Sequence, residues 1–306
     1  MEPKVFTADQ LSNEAYHADT EYVTGSVLCA IHKTCPAKWY YGELKETKAL
    51  LFGTGSHAAL LEPAKFDAEF YRAVDAEQYP HALRTVAEMK KAFTERGIKG
   101  LSAADKATML EKCRELEIVC LDHIEQEHDA ANAGKVKLSA NDYDMIQQMR
   151  AVIMADDAYS SKIVGGWPEM SIFAELEGVK VKIRPDLMTT DGGIWDYKTC
   201  TDLQKFARDA FEFGYYLKMA LQHDVFQAAY GTPPSEVVLL AQEKTAPFIP
   251  QALRITPEQL QIGRMQYKSA LALYKACKES DIWPAYGGGI QELETPDYVK
   301  RMYNIK

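Results

Sequence analysis

Two short words near the middle of the chain hold residue types that can grip a hard cation: Pro185-Asp186 and, ten residues on, Asp196-Tyr197-Lys198. In an extended strand successive side chains alternate faces, so Asp196 and Lys198 share one face while Trp195 and Tyr197 share the other. Asp186 closes the preceding strand, and a turn at Asp191-Gly192 would fold the two segments together, letting the carboxylates converge. Two aspartates form a hard-oxygen site that suits Mg²⁺, which keeps several waters and is completed by substrate phosphate. Lys198 adds positive charge beside the attacking water, and the set suits phosphodiester hydrolysis. An Asp-x-Lys tripeptide also arises by chance, so its setting has to decide.

That setting is a change of texture along the chain. Residues 1–165 read as mostly helical, with Ser102 and Asp105 resembling a capping box ahead of 25 residues at helical spacing. Ser139 starts another helix, Gly97 and Gly134 stand where C-caps belong, and Gly165-Gly166 before Pro168 ends the helical part. From Glu169 the period becomes two. Met170–Leu176, Val179–Arg184 and Gly193–Lys198 read as a three-stranded meander with turns at Glu177-Gly178 and Asp191-Gly192-Gly193. Helical texture returns over Leu203–Tyr230, Glu236–Gln242 reads as a central strand and Phe248–Ile255 as another. Thr256-Pro257-Glu258 opens a long helix to Lys278, and Gly287-Gly288-Gly289 marks an irregular tail. The expected architecture is α/β, a mixed central sheet flanked by helices with a largely helical N-terminal half, in a single domain over 1–306.

Composition narrows the class. Apolar residues make up 47% and charged residues 26%, a globular balance that excludes disordered and low-complexity classes. The longest apolar runs, Val27–Ile31 and Val237–Ala241, are too short to span a bilayer, and the first residues lack a secretory leader. A cytoplasmic location is expected. Six cysteines without a Cys-x-x-Cys pair suggest buried thiols. A net charge of −9 argues against coating nucleic acid through the whole surface, but residues 178–209 carry six Lys/Arg against five Asp. There Lys180, Lys182, Arg184 and Asp186 alternate with Val179, Val181 and Ile183, so a row of cations leads to the first carboxylate. A charged solvent face is the alternative.

These words together resemble the PD-(D/E)XK nuclease superfamily, and within it the exonuclease VIII (RecE-type) nucleases of phage recombination systems. Leu11-Ser-Asn-Glu-Ala-Tyr-His-Ala18, Phe52-Gly-Thr-Gly-Ser-His57, Leu60-Leu61-Glu62-Pro63, Arg184-Pro185-Asp186, Asp196-Tyr-Lys-Thr199 and Trp283-Pro284-Ala285 occur in the family's order and spacing. The resemblance implies Asp186, Asp196, the Tyr197 carbonyl and His57 as holders of Mg²⁺, with Mn²⁺ as substitute, and Lys198 as the water-orienting residue. Glu169 is either a further acid of the site or a surface carboxylate. Arg184, Lys182, Lys218 and Gln222 would contact DNA, Gln222 also serving catalysis. The family's Gln, followed four residues later by Tyr, falls on Lys218 and Gln222 in register, or on Gln222 and Phe226 after a slide; both alignments stay open. Tyr215, Tyr216, Trp39, Tyr40 and Tyr41 either stack on an unwound strand or pack the core. The resemblance further implies an exonuclease that digests one strand of linear duplex DNA from its 5′ end. Its partners would be double-stranded DNA ends, a homo-oligomeric ring, often a tetramer, and a single-strand annealing recombinase, with no membrane. An endonuclease or defence nuclease, and a catalytically silent DNA-end-binding protein, are the alternatives.

Overall fold

A computed structural model describes residues 2–43, 47–98, 100, 104–290 and 292–305. Strands and helices combine into an α/β architecture built on a four-stranded and a five-stranded sheet, with a small parallel pair, Phe70–Arg72 and Val136–Leu138, to one side. The four-stranded sheet runs Lys4–Phe6, Ser171–Leu176, Val179–Ile183, Val23–Thr24; the five-stranded sheet runs Pro250–Arg254, Val237–Glu243, Ile194–Cys200, Leu187–Met188, Trp167–Pro168.

The two sheets share one hairpin. Trp167 lies opposite Met188 and Pro168 opposite Leu187 in one sheet, while Ile172 lies opposite Ile183 in the other, without a change of register. Between the paired stretches a single bond, Glu169 N–H to Asp186 C=O at 3.2 Å, keeps the arms together. Glu169 has φ +52°, a left-handed conformation that bends its arm and breaks the ladder. The expected three-stranded meander is therefore corrected: its first two strands form this hairpin, whereas Ile194–Cys200 belongs to the other sheet and pairs in parallel with Val237–Glu243.

Local signals account for most element ends. Ser139 accepts from Asp142 N–H at the start of Ala140–Met154, and Thr256 and Gln259 form a capping box at the start of Pro257–Ser280. Ser102 lies outside the described residues; the helix Lys106–Glu115 begins at Asp105, whose carboxylate accepts from Thr108 N–H. The expected 25-residue helical run divides into Lys106–Glu115 and Leu121–Ala131 around Glu117, at φ +53°. The run from Leu203 likewise divides at Gly214, φ +75°, into Phe206–Glu212 and Tyr215–Tyr230; a Cβ at Gly214 would lie 2.3 Å from Cys29 Sγ.

The helix Tyr215–Tyr230 buries Leu217, Leu221 and Val225 against the four-stranded sheet, each contributing roughly 1.5–3 kcal/mol of burial. Its other neighbour is Pro257–Ser280, which approaches so closely that a Cβ on Gly263 would lie 2.0 Å from the Tyr216 carbonyl oxygen. The helix Lys48–Leu61 packs on Ala140–Met154 through Gly55, whose Cβ position is 3.1 Å from Ile146 Cδ1. All six cysteines are free and buried. No helix among the described residues is long and apolar enough to cross a membrane.

Candidate active site

The chemistry-bearing residues meet where the shared hairpin bends. Asp186 sits at the interrupted part of the ladder, and its Oδ2 accepts from the Tyr197 N–H at 2.7 Å. The strand Ile194–Cys200 places Asp196 and Lys198 on one face, so the Lys198 ammonium contacts Asp196 Oδ2 and lies 3.5 Å from Asp186 Oδ2. The same ammonium donates to the Tyr197 carbonyl at 2.9 Å. His57 arrives from the helix Lys48–Leu61 with Nδ1 3.2 Å from Asp186 Oδ2. Its ring lies 5.2 Å from that of Tyr197.

Below this cluster Tyr197 is fixed from the core side. Its hydroxyl donates to Gln242 Oε1 at 2.6 Å, and Gln242 Nε2 donates to the carbonyls of Met149 and Phe248, both at 2.9 Å. Gln242 is fully buried, so this link ties the strand Ile194–Cys200 to its parallel neighbour and to the helix Ala140–Met154. Sequence reasoning missed Gln242. A glutamine in an otherwise apolar strand, Val237–Ala241, is the signal that would have found it.

The electrostatics follow from two acids and one cation sharing a dry space. Burial alone would raise the Asp186 carboxyl, but His57, Lys198 and the Tyr197 N–H outweigh it and hold the group below its ordinary value. Burial and the neighbouring Asp186 charge push Asp196 up. Burial disfavours the Lys198 charge, yet Asp186 and Asp196 overcome it and keep the ammonium protonated. The His57 imidazole is pushed down by burial, against the pull of Asp186. Glu169 is raised to about 8 by burial, then by Asp186 and Glu62.

Among the described residues no group of three or more His, Cys, Asp or Glu forms a ready-made metal cluster. What converges is an oxygen set: one oxygen each from Asp186, Asp196 and the Tyr197 backbone surround a single cation, the Lys198 ammonium. Asp196 Oδ2 is buried and has the Lys198 ammonium as its charge partner. Hard oxygens focused on one positive point fit a divalent ion of the Mg²⁺ type.

The other residues singled out in the sequence lie around this cluster. A cleft of about 490 Å³ is lined by His57, Lys198, Glu169, Glu62, Lys65 and Tyr215, with the Lys198 ammonium 5.7 Å from the Tyr215 ring centroid. Sequence reasoning did not place Glu62 and Lys65 at the site; Glu62 follows His57 by five residues, within the same histidine word. A second cleft of about 830 Å³ is lined by Lys182, Arg184, Lys218 and Gln222; Asn13 and Glu169 border both. Two of its cations are engaged within the protein. Lys182 is 2% exposed and donates to the Tyr16 carbonyl and, at 2.5 Å, to that of Asp19. Arg184 donates to Ser171 Oγ at 2.8 Å, the Leu11 carbonyl at 3.0 Å and Asn13 Oδ1 at 3.2 Å. Lys180 pairs with Glu21 at the surface. The expected open row of cations is thus replaced by one surface pair and two groups that pin residues 11–19 to the sheet. Lys218 and Gln222 share one face of Tyr215–Tyr230, whereas Phe226 is buried in the core.

Comparison with known proteins bears on the family and the fold. A family profile described as "PDDEXK-like domain of unknown function (DUF3799)" matches residues 29–296. No curated protein sequence matches. Among solved structures, one from Eubacterium rectale described as "Putative exonuclease" superposes with a TM-score of 0.58 at 15% identity, covering 96% of this chain and 98% of that one. At that identity the likeness concerns the fold.

Proposed function

Because the chain belongs to the PDDEXK-like family DUF3799 and has its α/β fold, we propose that it is a Mg²⁺-dependent exodeoxyribonuclease of the RecE type. In this reading it digests one strand of linear duplex DNA from the 5′ end and leaves a 3′ overhang for a single-strand annealing partner. The observation that carries the nucleolytic part is the convergence of Asp186, Asp196 and the Tyr197 carbonyl on one cation beside His57. The strand polarity, the annealing partner and a ring-shaped homo-oligomer are drawn from the resemblance of the Arg-Pro-Asp, Asp-x-Lys and histidine words.

Asp186, Asp196 and the Tyr197 carbonyl would hold the metal, with His57 orienting the Asp186 carboxylate or a water beside it. A bound Mg²⁺ supplies an activated water and neutralises charge on the phosphate. Tyr197 N–H fixes the direction of Asp186, and Gln242 fixes Tyr197. Lys198, kept protonated by the two carboxylates beside it, would donate to the phosphate oxygen that gains charge. The Glu169 carboxyl, raised to about 8 by burial and by the Asp186 and Glu62 charges, borders the cleft beside this set.

End-labelled linear duplex and the closed circle, each with and without Mg²⁺, form the test. Digestion of the linear form alone, from the 5′ label and only with the metal, is expected. Cutting of the circle would replace the reading by an endonuclease. Asp196→Ala should abolish Mg²⁺-dependent digestion with the circular dichroism spectrum unchanged; substantial residual cleavage would remove Asp196 from the mechanism.

A further inference from the structure

We propose that Gly53 is a clearance position: its missing side chain leaves the space through which the deoxyribose next to the scissile phosphate passes His57. The proposal rests on the nucleolytic reading and adds to it how the metal cleft admits a polynucleotide backbone.

A glycine in the interior of a helix calls for a reason, because alanine is more stable there. Gly53 lies inside the helix Lys48–Leu61 with an ordinary right-handed backbone, so no left-handed turn requires it. Close packing is the other usual reason. It applies at Gly55, whose Cβ position is 3.1 Å from Ile146 Cδ1, and at Gly263, where a Cβ would lie 2.0 Å from the Tyr216 carbonyl oxygen. At Gly53 a Cβ would meet no atom of the described residues within 4 Å apart from the adjoining helix. A side chain would fit, and the protein's own packing gives no cause for its absence.

The place of Gly53 in the site supplies the cause. Ala49, Gly53 and His57 are spaced by four, share one face of the helix and all line the cleft of about 490 Å³. Gly53 precedes His57 by one turn, about 5.4 Å of rise, and His57 Nδ1 is 3.2 Å from Asp186 Oδ2. A phosphate held at Asp186 and Lys198 therefore has the bare backbone of Gly53 one turn away, where the sugar ester-bonded to it must lie. The charges of the lining favour the same path. Ala49, Leu50, Gly53 and Thr54, the stretch of this helix that lines the cleft before His57, carry none. Glu14, Glu62 and Glu69 line it elsewhere, and Lys65 is engaged with Glu62 at 3.3 Å. A polyanion is repelled from the glutamates and kept to the uncharged helix face, so its sugar takes the volume that a side chain at position 53 would fill.

The test uses the full-length protein with Gly53→Ala and Gly53→Leu. It reads the urea midpoint, the Mn²⁺ affinity by titration calorimetry, and kcat/KM for end-labelled linear duplex in Mg²⁺. Alanine and leucine are better helix formers than glycine, so both midpoints should rise, and Mn²⁺ affinity should keep its wild-type value. Digestion should fall by roughly tenfold or more in Gly53→Leu and by less in Gly53→Ala, because a displaced sugar carries its phosphate out of line. A variant that is more stable and cuts worse has lost room, whereas a structural glycine would lose stability and activity together. Wild-type kcat/KM in Gly53→Leu overturns the proposal, as does a lowered midpoint in both variants, or a loss of Mn²⁺ affinity that matches the loss of activity. The failure modes stay separate: duplex left uncut by wild type sinks the nucleolytic reading, whereas cutting that Gly53→Leu leaves unchanged sinks only the clearance role.

Discussion

At the residue scale the decisive feature is one ammonium held by three oxygens. Lys198 is stabilised by Asp186, Asp196 and the Tyr197 carbonyl, the same set that would hold a metal, so its positive charge marks where a cation is favoured. Lys198→Met keeps the stem that crosses the strand face and removes the donor. It should lower kcat by roughly 10²–10³-fold, the usual loss for one stabilising donor, with Mn²⁺ affinity by titration calorimetry unchanged or raised because the competing ammonium is gone; a matching loss of affinity would make Lys198 structural. Gln242 poses the opposite case, a buried side chain outside the chemistry. Gln242→Leu strands the Tyr197 hydroxyl and the Met149 and Phe248 carbonyls, and should cost about 1–3 kcal/mol or more, read as a lower urea midpoint. Alternation along Val179–Ile183 suggested that Lys182 is exposed, since period two sees only one strand. Residues 12–19 fold across that face and offer it carbonyls, a contact 160-odd positions distant in sequence that no local pattern encodes.

At the element scale two helices carry the wall of the larger cleft, and one carboxylate clamps them. Asp224 accepts from Arg264 Nε and Nη2 and from the Tyr267 hydroxyl at 2.6 Å, with His223 Nδ1 at 2.8 Å. Burial opposes its ionisation, but His223, Arg264 and Tyr267 overcome that and hold the carboxyl well below the usual range. A depressed folded-state pKa means the clamp stabilises the fold above the ordinary aspartate pKa, and the contribution is lost as pH falls toward the depressed one. Asp224→Asn should cost about 1–3 kcal/mol at neutral pH. Its stability should fall less steeply than wild type between about pH 5 and pH 3, as urea melts across that range would show; parallel curves would deny the clamp a role in acid sensitivity. Helix starts such as Ser139 and Thr256 were legible because a cap is a bond within four residues. The breaks at Glu117 and Gly214 were not, because apolar spacing continues across both. The strands Lys4–Phe6 and Val23–Thr24 escaped notice since two or three residues show no period.

At the scale of the whole molecule the site occupies the junction between two sheets, which explains both what the sequence disclosed and what it concealed. The Asp-x-Lys face and the preceding Pro-Asp were readable from alternation and order, yet a hairpin that serves two sheets looks locally like a hairpin that serves one. Only the left-handed Glu169 and the interrupted ladder reveal the bend. That bend joins the long-range packing to the charge cluster, because Asp186, Glu169 and the histidine helix all converge there. A cation that binds these oxygens only in the folded state must therefore stabilise the molecule as a whole. At a Mg²⁺ concentration about 100-fold above its dissociation constant the gain is about 2.7 kcal/mol, and the thermal midpoint should rise by a few degrees relative to EDTA. Asp186→Asn, which keeps the shape of the side chain and removes its charge, should abolish that rise. A midpoint that climbs equally in wild type and variant would locate the ion elsewhere on this acidic chain, where a net charge of −9 attracts divalent cations without a specific site.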